Sequence, residues 1–293
     1  MNMDSIPNSL LWNQTIPHYD TFISKLGFIL LNDLHTKRYN SINKPILPHH
    51  YSYSGNKNIS TNMLLGGLMA NTETTINAVI TPQINDAPID IEKTIKALER
   101  NNFVVHYFET GADAVAYLQS RIQHKQVAIG DSRTLLELKV HDALSKVNDD
   151  ITDIQRPLPG ESFRDTALRT MGRDVFLTSV NALSQTGEMV NIDGTGNRVA
   201  ASLFGSQEVF FVLGRNKITP DLASAIYRAR NVAAPLNSKK NKKSSLNPCA
   251  KLEEKCYDCG SPDRICNALT IYYKKMRNMQ TMEVIIINED LGF

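Results

Sequence analysis

The chain has 293 residues, 42% of them hydrophobic and 21% charged, with a formal net charge of +2. That is enough chain for a large core, and so small a charge argues against a general nucleic-acid binder. The longest apolar run near the N-terminus, "LGFILL", is too short to span a bilayer and lacks the flanks of a secretory leader, so a cytoplasmic protein with no membrane span is expected.

Residues 1–68 are polar, rich in Asn and Ser, and broken by Pro7, Pro17, Pro45 and Pro48. Only Phe22–Leu34 reads as a short helix. His49 and His50 stand here and read as poor metal ligands. The expectation is a poorly structured extension over 1–68 and a folded domain over 69–293, with Met69 a plausible start. A chain beginning at Met69 should then melt cooperatively on its own.

Regular alternation follows. "DIEKTIKALERNN" places Ile91, Ile95 and Leu98 at helical spacing behind Asp90 as cap. "FVVHYF" (103–108) reads as a strand, and "DAVAYLQSRI" (113–122) as a helix with Ala114, Val115, Leu118 and Ile122 on one face. "QVAIG" (126–130) is a strand and "TLLELKVHDALSK" (134–146) one helix. "DVFLTSV" (174–180) and "EVFFVLG" (208–214) are continuous apolar strands. "PDLASAIYRAR" (220–230) reads as a helix with Thr219 as cap and Pro220 at its first position. "EVIIINE" (283–289) is the last strand. Strands apolar on both faces, separated by helices, predict a Rossmann-like α/β fold: a mostly parallel sheet with helices on both faces. Ligands of such folds bind beyond the carboxyl ends of the strands.

Three loops fall at such ends. In "GDSRT", backbone N–H groups with the hydroxyls of Ser132 and Thr134 suit an anion, but a plain capping turn is the simpler reading. Glu137, three residues after Thr134, fits a capping box and could also face a pocket. "TSVNALSQTGEMVNIDGTGNRVAA" gathers Asn181, Thr186, Glu188, Asn191, Asp193, Asn197 and Arg198 between two apolar strands, with "GEMVNIDG" as one arm of a hairpin. A self-satisfied polar turn is possible, but such a concentration of polar groups at the end of a buried strand favours binding. Arg198 is the best candidate to grip a carboxylate, and Glu188 or Asp193 would be the general base or nucleophile of any catalysis. In "GRNKI", Lys217 is either a neutraliser of an anionic substrate or a surface lysine. "KKNKK" (239–243) reads as a solvated loop. No Gly-x-Gly-x-x-Gly fingerprint supports a dinucleotide.

All four cysteines, Cys249, Cys256, Cys259 and Cys266, lie within residues 248–266 with spacing Cys-x6-Cys-x2-Cys-x6-Cys. In a reducing cell such a cluster points to metal rather than disulfides. Four thiolates close a zinc site or hold an iron–sulfur cluster, and the spacing matches neither the ferredoxin run nor paired zinc knuckles.

The strings "DVFLTSVNALSQTGEMVNIDGTGNRVAASLFG", "VLGRNKI", "AAPLN", the cysteine segment and "IINEDLGF" resemble the lactate utilisation (LUD) domain family, over about Met69–Phe293. The resemblance implies a fold like that of the sugar-phosphate isomerase and CoA-transferase group. It also implies a part in oxidising L-lactate to pyruvate beside iron–sulfur proteins. That redox setting favours a [4Fe–4S] cluster over zinc on the four cysteines. The expected ligand is a small carboxylate or other anionic metabolite, and an iron–sulfur protein is a possible partner. The other class of function is a transferase, isomerase or hydrolase of phosphorylated or CoA-linked compounds, or a scaffold with structural zinc. One departure stands out. The family turn Gly-Gly-Ser-x-Thr is here Gly130-Asp131-Ser132-Arg133-Thr134, and the Asp131 carboxylate repels an anion unless Arg133 offsets it.

Overall fold

The computed structural model describes residues 87–241, 244–252 and 255–293, and Asp90 caps the first helix among them. The expected extension over 1–68, with the Phe22–Leu34 segment and His49–His50, lies outside the described residues. Helix α1 (Ile91–Arg100) buries Thr94, Ala97 and Leu98. It stops where Asn102 turns left-handed, and β1 (Val104–Phe108) follows. Helix α2 (Gly111–Arg121) starts at Thr110, whose hydroxyl accepts from Asp113 N at 3.2 Å, and leads to β2 (Gln126–Ile129).

The helix expected over 134–146 is two: α3 (Arg133–Glu137) and α4 (Val140–Leu144). Lys139 sits between them with φ +53°, a left-handed conformation that breaks the helical ladder. Next come β3 (Asp150–Asp153), α5 (Phe163–Arg169), β4 (Val175–Thr178), β5 (Ala182–Ser184), β6 (Met189–Asp193), α6 (Asn197–Leu203) and β7 (Glu208–Gly214). A 3₁₀ turn (Arg215–Lys217) joins β7 to β8 (Ile218–Thr219). Thr219 therefore belongs to a strand, paired with Ser184, and the cap of α7 (Leu222–Arg228) is Asp221, whose Oδ1 accepts from Ser224 N at 2.8 Å. The chain stays helical beyond Arg230, through a π turn (Ala229–Ala233) into α8 (Ala234–Lys240). Thus Lys239 and Lys240 of the basic run close a helix. Helix α9 (Pro248–Leu252), β9 (Ala268–Tyr272) and β10 (Thr281–Ile287) complete the order.

Among the described residues, six strands form a wholly parallel sheet in the order β1-β10-β7-β4-β2-β3. Alternate residues of β7 point to opposite faces. Phe211 and Leu213 meet Leu98, Phe176 and Val284, whereas Phe210 and Val212 meet Leu118, Val127 and Ile285. Each such side chain, withdrawn from water, contributes about 1.5–3 kcal/mol. The expected doubly covered parallel sheet is therefore present. Its covering differs in one respect: one face is shielded by α1 and α6 together with a second sheet, β8-β5-β6-β9, carrying Leu183, Met189 and Tyr272 inward. Helix α7 and the π turn pack on that second sheet through Ala225 and Ala229, against Ala182 and Val190. The expected hairpin is β5–β6. No helix among the described residues is long and apolar enough to cross a membrane.

Candidate functional site

Strand β7 is buried along its whole length and ends on Gly214, where a Cβ would stand 2.4 Å from Glu289 O. Backbone packed that closely fixes the turn that follows, and the turn drives Lys217 inward. Lys217 is only 3% exposed. Its Nζ donates to Thr134 Oγ1 at 2.9 Å and to Ser179 Oγ at 3.0 Å. Helix α3 is capped by Ser132, whose Oγ accepts from Leu135 N at 3.3 Å. The Thr134–Glu137 capping box expected from the sequence is therefore replaced, which leaves the Thr134 hydroxyl for the lysine. Glu137 instead accepts from Gly292 N and Arg133 Nε, each at 2.7 Å. Partial burial works against its ionisation, yet these two bonds hold its carboxyl below the usual range. Gly292, at φ +65°, closes the group: a Cβ there would lie 2.6 Å from Thr134 Oγ1 and 3.2 Å from Lys217 Nζ.

Burial withdraws solvent from the Lys217 ammonium, and the charges of Arg228 and Arg198 oppose it further; Glu137 offsets this in part. Its pKa falls to about 7. A lysine in this condition is partly a neutral amine at physiological pH, which is the form that acts as base or nucleophile.

Arg198 enters from α6. Asp193, at the end of β6, anchors that helix. Its Oδ1 accepts from Thr195 N and Gly196 N at 3.1 and 3.0 Å, and its Oδ2 from Val199 N at 3.1 Å. Arg198 Nε lies 3.9 Å from Asp193 Oδ2, and its Nη2 donates to Asn181 Oδ1 at 3.3 Å and to Ile192 O. Asn181 is itself fixed: its Oδ1 accepts from Ile192 N at 2.7 Å, and its N–H donates to Asn191 Oδ1 at 3.0 Å. Asn191 is fully buried and donates to Ser179 O at 3.3 Å. Arg228 adds bonds to Asn216 O at 2.9 Å and to Asn181 O.

These groups border a cleft of about 210 Å³ at the carboxyl ends of β2, β4 and β7, lined in part by Ser132, Ser179, Asn181, Arg198, Lys217 and Lys240. Arg133 and Asp131 also line it, and Gln155 Nε2 donates to Asp131 Oδ1 at 2.7 Å. Arg133, Arg198 and Lys240, joined by Lys217 when it is protonated, outweigh the Asp131 carboxylate and make the cleft suited to an anion. Of the residues singled out from the sequence, Ser132, Asn181, Arg198 and Lys217 meet at this cleft. Thr134, Asn191 and Asp193 stand one bond behind it. Asn197 opens α6 and is not part of the lining.

Thr186 and Glu188 are not brought here. They bond to each other in the β5–β6 turn, which packs on the end of α1, where Asn101 Nδ2 donates to Gly187 O at 3.1 Å. The sequence reading missed Ser179, Lys240 and Arg228. Ser179 lies inside the "TSVN" string already singled out, whereas nothing local marks Arg228. It also missed His141, whose Nδ1 lies 3.0 Å from Asp153 Oδ2 in an adjoining cleft that shares Ser132 and Gln155.

The cysteines lie elsewhere. Cys249 is in α9, and Cys256, Cys259 and Cys266 are in the loop before β9, all partly exposed. Arg264 Nε donates to Cys266 Sγ at 3.3 Å, and Arg230 Nη2 stands 3.9 Å from Cys256 Sγ. Burial raises the Cys249 thiol, a hydrogen bond with Ser238 offsets this in part, and Cys259, Cys266 and Cys256 raise it further. Among the described residues, no three His, Cys, Asp or Glu side chains stand in a ready-made ligand set. The donor chemistry still suits a soft metal: four thiols gathered in one short segment.

The family model described as LUD domain matches residues 91–287. Among solved structures, a DUF162 family protein from Deinococcus radiodurans, determined at 1.70 Å, matches at 12% identity with a TM-score of 0.41, covering 68% of this chain and 99% of that one. No curated protein matches.

Proposed function

This chain belongs to the LUD domain family, which is implicated in lactate utilisation, and on that premise we propose that it is a cytoplasmic component of a system oxidising L-lactate to pyruvate. Its cleft would hold the small 2-hydroxy or 2-oxo carboxylate. The observation that supports this reading is the convergence of Arg198 and Lys217 on one small cleft at the strand ends. A guanidinium pairs readily with a carboxylate, and Lys217 with Ser132 offers hydrogen bonds to the 2-oxygen. The transferase or hydrolase reading assigns its chemistry to Glu188 or Asp193, and neither is free in the cleft. Asp193 has three backbone amides on its oxygens, and Glu188 lies in the distant turn.

We further propose that Cys249, Cys256, Cys259 and Cys266 hold a [4Fe–4S] cluster, with zinc as the alternative. A cluster would supply one-electron transfer to an iron–sulfur partner protein, and zinc would only tie the loop. Calorimetric titration with lactate, pyruvate, phosphate and CoA tests the cleft. Lactate or pyruvate should bind, and Arg198→Lys should weaken binding by roughly tenfold, about 1.4 kcal/mol. Binding of phosphate or CoA alone would sink the carboxylate reading.

A further inference from the structure

We infer that Lys217 binds a 2-oxo acid covalently, as an imine between its Nζ and the carbonyl carbon, with the acid's carboxylate held by Arg198. This deepens the carboxylate reading above and rests on it. The geometry assembles what such a bond requires. Lys217 lines the cleft with Arg198, yet its amine is buried, and both of its hydrogen-bond partners are hydroxyls, those of Thr134 and Ser179. Hydroxyls carry no charge to hold a proton on the amine. Two acceptors also match the two N–H groups of a neutral amine, leaving the fourth tetrahedral position to the lone pair.

The charged groups around the amine act the same way. Burial, Arg228 and Arg198 favour its neutral form, and only Glu137 opposes them. A lysine meant only to neutralise an anion would gain nothing from losing its charge. A nucleophilic lysine depends on it, and desolvation beside other cations is a known way to obtain one. The step balances without a further reagent. The Nζ lone pair adds to the carbonyl carbon, the C=O π pair moves to oxygen, and that oxygen takes up two protons and leaves as water while the C=N bond forms. The amine loses both of these protons when the neutral imine forms; the iminium keeps one N–H, and the oxygen's second proton then comes from water, the Ser179 and Thr134 hydroxyls lying within reach as relays.

The test treats the full-length protein with pyruvate and sodium cyanoborohydride, then maps adducts by peptide mass spectrometry. Lactate, which has no carbonyl at C2, is the control. One reduced pyruvate adduct per chain is expected on the peptide containing Lys217, absent with lactate. It should also be absent in Lys217→Arg and in Lys217→Met, a neutral replacement of similar length that keeps the fold testable. Pyruvate titration runs in parallel. Saturable pyruvate binding with no adduct overturns the imine and leaves the carboxylate site standing. Adducts spread evenly over surface lysines also overturn it. Failure of both pyruvate and lactate to bind overturns the imine and the carboxylate site together.

Discussion

Lys217 Nζ and Thr134 Oγ1 lie 2.9 Å apart although 83 positions separate them in the chain. The contact joins the turn after β7 to the first turn of α3. Thr134→Val keeps the shape of the side chain and removes the acceptor. A buried N–H left without a partner costs about 1–3 kcal/mol. Urea unfolding should show a loss of that size, and Thr134→Ser should recover most of it. An unchanged midpoint in Thr134→Val would mean that the amine has found another acceptor.

Stability should depend on pH through Lys217. Its folded pKa is about 7, below the unfolded value of about 10.4. Between these values the unfolded chain binds the extra proton, so stability rises with pH across that window. Below about pH 7 both states are protonated, and the full cost of the buried charge beside Arg198 and Arg228 is present. Lys217→Met lacks this term. Relative to wild type, the Met variant should be most favoured at pH 6.5 and lose that advantage by pH 9.5. Denaturant curves at both pH values check this, and a constant difference would contradict it.

At the opposite end of the sheet, Arg121 Nη2 bridges Glu208 and Glu283, whose side chains are almost wholly buried. Tyr117 OH donates to Glu283 Oε2 at 2.8 Å, and Lys125 Nζ lies 3.4 Å from Glu208 Oε1. Arg121→Met removes the guanidinium shared by two buried carboxylates and should cost on the order of 3 kcal/mol. Lys96→Ala breaks only an exposed pair with Glu92, and should change stability by less than about 0.5 kcal/mol. Similar losses in the two variants would show that the buried bridge is no stronger than a surface pair.

Metal should govern the 248–266 segment. Protein made anaerobically with iron and zinc both available should carry iron and sulfide, and chelation should raise amide exchange there before the parallel sheet is affected. About one zinc per chain without iron would replace the cluster with zinc. Protein free of metal, with exchange unchanged by chelation, would remove the site.

The parallel sheet was legible because β4, β7 and β10 are apolar on both faces, a pattern that only a doubly covered sheet explains. Strand β3 was not, since Asp150, Thr152 and Asp153 give it a single aliphatic residue, Ile151. The break at Lys139 was hidden because the apolar spacing runs straight through it. Arg198 and Asn181 were readable as polar residues beside buried strands. Lys217 reads locally as one of three polar residues in "GRNKI"; its burial is created by α3, by the end of β4 and by Gly292, which no local window contains. Asp193 was singled out for its charge, but its surroundings make it the anchor of α6.

The last strand in the chain, β10, lies in the sheet between β1 and β7. Among the described strands β1 is the first to leave the ribosome during synthesis, and its one described neighbour in the sheet, β10, emerges last. Its unpaired edge is therefore exposed while nearly all the rest of the domain is being made. The sheet can close only by inserting a strand between two that already exist, a pairing distant in sequence and hence slow. Nascent or prematurely ended chains that stop short of Thr281 should present this open seam to proteases and chaperones, and completion of β10 should be the event that commits the domain to its native state.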